Sequence, residues 1–345
     1  MKSDRRNATL ILALLAFLLI CIVLAASKGA VALPFSEVAA IIAARTCGVH
    51  FPLDWSEQDE AIVMQIRLPR VITAAVVGGA LAAAGVVFQG LLRNPMADPY
   101  IIGTSGGAAL GATIALLLPL KVRWLGFTQV PLAAFVGALA AVLLVYRIAR
   151  VGPRTPITTL LLAGFATSSM MAAAMSFLML TSGRTLRRVV LWTMGGVTAS
   201  GWSQLKAVVP MVLAGMAGTY ALAGDLNAFL LGEEQAAHLG MEVERRKLML
   251  LMLGSLLTAS AVSVSGLVGF VGLVVPHVAR LIFGPDHRLL LPASALAGSG
   301  FLVLADLLAR VLMAPAEIPV GIITALLGAP FFIYLLRRRG KGYTF

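Results

Sequence analysis

The sequence predicts an all-α, polytopic membrane protein with ten transmembrane helices and both termini cytoplasmic. Three observations predict it. Only 12% of the 345 residues are charged, about half of the ~25% usual in a soluble domain. The charge that is present sits in short clusters between long apolar runs, each close to the ~20 residues that cross a bilayer. Lys and Arg are also distributed unevenly. With both ends on one side, 16 of the 27 fall on that side, and basic residues mark the cytoplasmic face. The whole chain, 1–345, reads as a single transmembrane domain.

The first span, 8–27, follows "MKSDRRN". Its apolar run from Ala8 to Ala26 is too long for a signal-peptide core, so it reads as a helix that stays in the membrane. Residues 28–65 form an outer loop. Within it "PFSEVAAIIAAR" predicts a short interfacial helix, and "LDWSEQDE" is acidic. The second span, 66–90, opens with "QIRLPR", which places Arg67 and Arg70 around Pro69 at the outer surface. At its inner end "RNPMADP" predicts a turn, because Pro95 and Pro99 both oppose a helix.

The third span, 100–118, carries Gly103, Gly107, Gly111 and Ala115 at every fourth position. Such a stripe lets helix backbones approach closely, and packing within the chain is the expected use. "GTSGG" lacks the strand and spacing of a nucleotide-binding loop, and no G-x-x-x-x-G-K-[ST] occurs in the chain. ATP, if it drives this protein, must bind another chain.

The fourth span, 125–148, precedes the fifth, 157–181, in which Met171, Met175 and Met179 form one stripe. Two readings stay open for it: packing methionines, or a soft lining over which a large solute slides. Residues 182–200 predict a short outer helix, basic at Arg184, Arg187 and Arg188, with Trp192 at headgroup level. The sixth span is 203–223.

Residues 225–247 hold "LNAFLLGEEQAAHLGMEVERRK", a polar stretch on the cytoplasmic side. It predicts two short helices joined at Gly232, each with one apolar face. Short amphipathic helices of this kind fit a groove in a partner.

Spans seven to ten follow at 246–265, 268–284, 289–313 and 318–337. His277 has no second ligand at metal spacing and reads as structural. Asp306 is an intramembrane carboxylate, a functional candidate by default. Arg310, four residues on, gives it a partner on the same helix face, and the paired, structural reading is preferred. Cys21 and Cys47 suggest no disulfide framework. The four histidines are scattered, and no nucleophile–base pair or metal-ligand set stands out. No catalytic residues, metal site, cofactor or nucleic-acid partner is therefore expected.

Four blocks carry a family resemblance: "QIRLPR", "QGLLRNPMADPYIIGTSGG", "LLGEEQAAHLG", and "GFVGLVVPHVARLIFGPDHRLLLPASALAG" with its continuation "LADLLAR" and "EIPVGIITALLGAPFFIYLLRR". In this order and spacing, over about 60–338, the chain resembles the FecCD family, the membrane-spanning permease subunits of type II ABC importers. The resemblance implies a bacterial inner-membrane homodimer, a cytoplasmic ABC ATPase dimer below it and a soluble or lipid-anchored substrate-binding protein above. It implies ATPase coupling through Leu231, Gly232, Glu233, Ala236 and Gly240. It also implies docking of the binding protein at Arg67 and Arg310, and a cytoplasmic gate of Asn94, Met96 and Thr158. The cargo it implies is a metal chelate, iron-siderophore first, haem or cobalamin next. The rival from another class is a proton-coupled secondary transporter built on Asp306. A third possibility is a membrane receptor that transports nothing.

Overall fold

In the computed structural model, which describes residues 2–29, 31–48, 55–118, 122–124, 126–197 and 201–339, helix α4 (Leu68–Leu91) is the central pillar. Its sequence is mostly Ala, Gly and Val, so other helices close on it from several sides. The span containing it is 89% buried, whereas that of α1 (Lys2–Ser27) is 11% buried. Helix α14 (His287–Val311) runs antiparallel to α4 along its length, and α12 (Val243–Ser265), α13 (Val271–Phe283) and α9 (Trp202–Ala221) complete the wall. The closeness is set by glycine. A methyl on Gly85 would collide with the Gly272 carbonyl, and one on Gly78 with that of Gly298.

Helix α4 begins earlier than the hydropathy predicts. Ser56 accepts the Asp59 N–H at 3.0 Å and starts α3 (Glu57–Ala61), which continues through a π-helical stretch, Ile62–Arg67, into α4. Pro69 has no N–H to offer the Gln65 carbonyl. The wider turn accommodates this, and Leu68 N–H reaches back to the Val63 carbonyl instead. Residues 57–65, expected in the outer loop, are therefore helix. The short helix expected in that loop is α2 (Phe35–Cys47). Residues 49–54 of this loop, and 198–200 of the expected outer helix, lie outside the described residues.

Helix α5 (Thr104–Leu117) lies against α6 (Gln129–Ala149). Gly107 and Gly111 meet Gly137 and Ala133 there so tightly that no β-carbon would fit; this part of the predicted stripe packs within the chain. A two-strand hairpin, Arg123–Trp124 with Phe127–Thr128, joins the two helices. Helix α7 (Ile157–Leu180) packs on α5, and α8 (Leu186–Thr193) follows a 3-10 turn at Gly183–Thr185. Beyond α9 come α10 (Ala223–Leu230) and α11 (Glu233–His238), and the last described helix is α15 (Val320–Arg339).

All ten predicted apolar stretches contain helix among the described residues. Among the described residues six helices are long and apolar enough to cross a membrane, and α9 with α10, bent by 52°, makes a seventh if the pair is one span. Thr104–Leu117, Val271–Phe283 and Val320–Tyr334 are shorter. At 14 residues, α5 is about 21 Å long, less than the ~30 Å hydrocarbon core.

Candidate functional site at the two ends of the bundle

At the end of the bundle where α4 finishes and α14 begins, the polar stretch folds as two short helices. Gly232 joins them with φ of 109°, and Gly240 ends the second with φ of 85°. Glycine reaches these angles without the penalty a β-carbon brings. One side of the pair is anchored: Leu226, Phe229 and Ala236 are fully buried. The other side is bare. Leu231 is 59% exposed and Leu239 69% exposed, with Glu234, Gln235 and His238 exposed between them.

Three ties hold this segment to the rest of the end. Asn227 donates to Asp286 Oδ1 at 2.7 Å, while its own carbonyl accepts the His287 N–H at 2.9 Å and faces His287 Nδ1 at 2.7 Å. With the amide so fixed, Nδ1 carries the proton. Nε2 is buried without a partner among the described residues. Asp286 also accepts the Arg288 N–H at 3.0 Å. The Asn227 bond and then this one hold its carboxyl below the usual carboxylate range. The second is the ion pair of Arg246 on α12 with Asp225 on α10 at 3.5 Å. The third is Lys247, whose side chain is 3% exposed and whose ammonium reaches Glu233 of α11 at 2.9 Å.

The predicted gate residues lie around this segment. Asn94 is exposed and accepts the Met96 N–H at 2.9 Å, closing the turn after α4. Met96 is half-buried. Thr158 is exposed on the first turn of α7. Further along α7, Gly164 packs closely on the Ile101 backbone, so the 92–103 turn and the first half of α7 form one unit. The turn is fixed on its far side by Tyr100, whose hydroxyl donates to the Val268 carbonyl at 3.0 Å and accepts the Val268 N–H at 3.2 Å.

The methionine stripe is half-buried. Met171 packs near Gly106 of α5, and Met175 and Met179 follow on the same flank. The open face of α7 is a different one: Thr158, Leu162, Ala166, Ser169, Ala173, Ser176 and Leu180 recur at helical spacing and are all exposed. Composition hid this face, because small residues among large apolar ones give no strong periodicity; the helix is apolar all round.

At the opposite end, the side chains of Arg67 and Arg310 are buried and bonded within the chain. Arg67 donates to the carbonyls of Ala26, Ser27 and Val31. Arg310 donates to those of Ala25 at 2.9 Å and Lys28 at 2.8 Å. The reason is local: the last carbonyls of α1 lack helical partners, and the negative end of the helix dipole attracts cations. Asp306 is 1% exposed and takes Arg310 Nε at 3.0 Å on one oxygen and Arg70 Nη2 at 2.9 Å on the other. Arg70 also binds Glu317 at 2.9 Å. The Asp306–Arg310 pair was legible from its spacing. Arg70 and Glu317 were not, since they meet Asp306 only through the fold.

In the sequence Lys247 reads as one more charge of the polar stretch, whereas the structure buries it. A signal existed: Lys247 shares one helix face with Leu250, Leu251 and Gly254, all buried. Among the described residues no group of three His, Cys, Asp or Glu could hold a metal.

A bundle of apolar helices, six of those described long enough to cross a membrane, with a glycine-packed core and one end bearing exposed amphipathic helices, defines the class of multi-pass membrane proteins. Comparison with known proteins makes this particular. The model of the FecCD transport family matches residues 17–338, and the chain belongs to that family. It is 51% identical to the cobalamin import system permease of Halobacterium salinarum, over 82% of this chain and 75% of that one. It is 43% identical to the hemin transport system permease of Yersinia pestis, over 81% and 84%. It is 39% identical to the Fe(3+) dicitrate transport system permease FecD of Escherichia coli, over 83% and 88%. A solved structure described as an inward-facing ABC transporter of metal-chelate type superposes with a TM-score of 0.82 at 31% identity, covering 96% of this chain and 99% of that one. The chain is a permease of a metal-chelate ABC importer.

Proposed function

We propose that two copies of this chain, each crossing the membrane ten times with both termini in the cytoplasm, enclose the path for a large metal chelate moved by a separate ABC ATPase dimer. The observation that carries this is the exposed pair Leu231 and Leu239 on short helices rooted in the core by Ala236 and Phe229. Exposed apolar side chains on a firmly anchored segment are what a partner's groove takes up. In this reading Leu231 inserts into the ATPase, Gly232 and Gly240 set the angle of α11, and Glu233 and Ala236 fix it to the permease.

Asn94, Met96 and Thr158 narrow the cytoplasmic mouth where the two copies face each other. The pathway is lined by the open face of α7 from Thr158 to Leu180, with Met171, Met175 and Met179 at its flank. The arginine end receives the binding protein, and Arg67 and Arg310 contribute there by holding the rim in shape around the end of α1. The named cargoes of the relatives, cobalamin, hemin and ferric dicitrate, are all metal chelates, which supports that class here. Iron-siderophore stays the first to assay, then haem and cobalamin.

The test is uptake into vesicles holding the permease with its ATPase facing the lumen and ATP enclosed there, with the binding protein and the chelate supplied in the outer medium. The expected result is accumulation of one of the three chelates only with ATP. Uptake driven by a proton gradient without the ATPase would overturn the proposal in favour of a secondary transporter.

A further inference from the structure

Lys247 is the one residue of the "ERRK" cluster that is buried, and its ammonium ties together three pieces of chain. Nζ donates to Glu233 of α11 at 2.9 Å, to Glu244 on its own helix at 3.0 Å and to the Thr155 carbonyl at 3.0 Å. An ammonium has three donors and no acceptor, so these three bonds satisfy it completely. Burial of a lysine in a membrane-embedded helix is tolerated only with such partners. A leucine or methionine, which fill the next positions of α12, would occupy the space without needing any.

Thr155 is held from both sides. While its carbonyl accepts from Lys247, its N–H donates to the other oxygen of Glu244 at 3.0 Å. Just before it, Val151 and Arg154 exchange backbone bonds of 2.9 and 3.2 Å in a tight hairpin between α6 and α7. Just after it, Pro156 leads directly into α7. Thr158 is three residues from Thr155, with little slack between. Glu233 likewise has little slack, being the first residue of α11 after Gly232. Displacing α11 therefore either costs the buried ammonium one of its two carboxylates or shifts Lys247 and Thr155 with it, and the start of α7 follows.

We propose that Lys247 is a positioning residue that passes movement of α11 to Thr155, and so to Thr158 at the mouth of the pathway. This rests on reading α11 as the ATPase contact and Thr158 as a gate. It adds the physical link between them, which lies within one subunit and is electrostatic.

The experiment uses the whole transporter, permease with ATPase and binding protein, carrying Thr158→Cys. The labelling rate of that cysteine by a charged maleimide is followed by mass spectrometry of its peptide, without nucleotide and with ATP plus vanadate, alongside ATP hydrolysis. With Lys247 intact, nucleotide should change the labelling rate. With Lys247→Met, hydrolysis should persist and the labelling response should be lost, an uncoupling that a merely weakened fold does not produce. An undiminished response in Lys247→Met overturns the proposal. No response with Lys247 intact instead removes the reading of α11 and Thr158 on which it rests. Should Lys247→Met fail to assemble, Glu244→Ala, which releases the Thr155 N–H and one bond of Lys247, decides by the same criterion.

Discussion

The two ends of the α4–α14 pair treat charge in opposite ways. At the arginine end, three guanidinium groups and two carboxylates face one another and the carbonyls of α1, and Arg67, Asp306 and Arg310 are almost wholly buried. That end satisfies itself. At the α10–α11 end, charged groups are also satisfied, Lys247 by two carboxylates and Asp286 by neutral N–H donors, but large apolar side chains are left uncovered at Leu231 and Leu239. A surface whose polar groups are paired and whose apolar groups are exposed is poised for a permanent neighbour. A rim whose arginines already hold backbone carbonyls suits a partner that comes and goes.

The sharpest way to break this comparison is Asp306→Asn. It leaves Arg70 and Arg310 buried without their shared carboxylate, and removing one partner of a buried ion pair costs about 3–5 kcal/mol. The expected outcome is a large fall in the melting temperature of the purified permease, with loss of uptake accompanying it. A proton-relay role predicts something different: uptake abolished with the melting temperature unchanged. Measuring both on one preparation separates the two.

The second effect belongs to the other end. Leu231→Asp and Leu239→Asp put charge where the ATPase is proposed to bury apolar surface. Both positions are exposed, so stability should stay within ~0.5 kcal/mol, while affinity for the ATPase falls by about 2 kcal/mol or more, as for hot-spot residues. Co-purification and a melting curve read the two quantities. Intact binding in both variants would show that the bare face is not the contact, and the contrast between the ends would lose its functional meaning.

What was legible in the sequence follows the same division. Helices announce themselves by local composition, so every apolar stretch was found, as was the tight packing of Gly107 and Gly111. The break at Gly232 was legible because two glycines bracket a short amphipathic run. The start of α3 was not, because its first turn is "EQDEA", polar residues that hydropathy assigns to a loop. Side-chain direction was hidden too. Arg67 lies in a π-helical stretch, which rotates it away from the position that an α-helical count gives. Lys247 differs from Arg245 and Arg246 by its angle around α12, and two of its three partners are 14 and 92 residues away.

The smallest effect sharpens the comparison at the α10–α11 end, where one charge ties that segment to α14. Asp286 caps α14 and accepts from Asn227 and from the Arg288 N–H. Its folded pKa is depressed, so its stabilising contribution is present above the unfolded-state value of about 3.9 and is lost as pH falls through the lower folded value. Asp286→Asn keeps a good cap residue but has no charge to titrate. At neutral pH the variant should therefore melt slightly below the parent. As pH falls from ~5 toward and past the folded value, the gap should close, because the parent loses the same charge by protonation. The carboxylate is largely exposed and solvent screens it, so the gap is small at any pH. A gap that persists at the acid limit would mean that Asn227 needs the shape of the carboxylate and not its charge. The tie between α10 and α14 would then be one of hydrogen-bond geometry alone, unlike the charged link through Lys247 on the other side of the same segment.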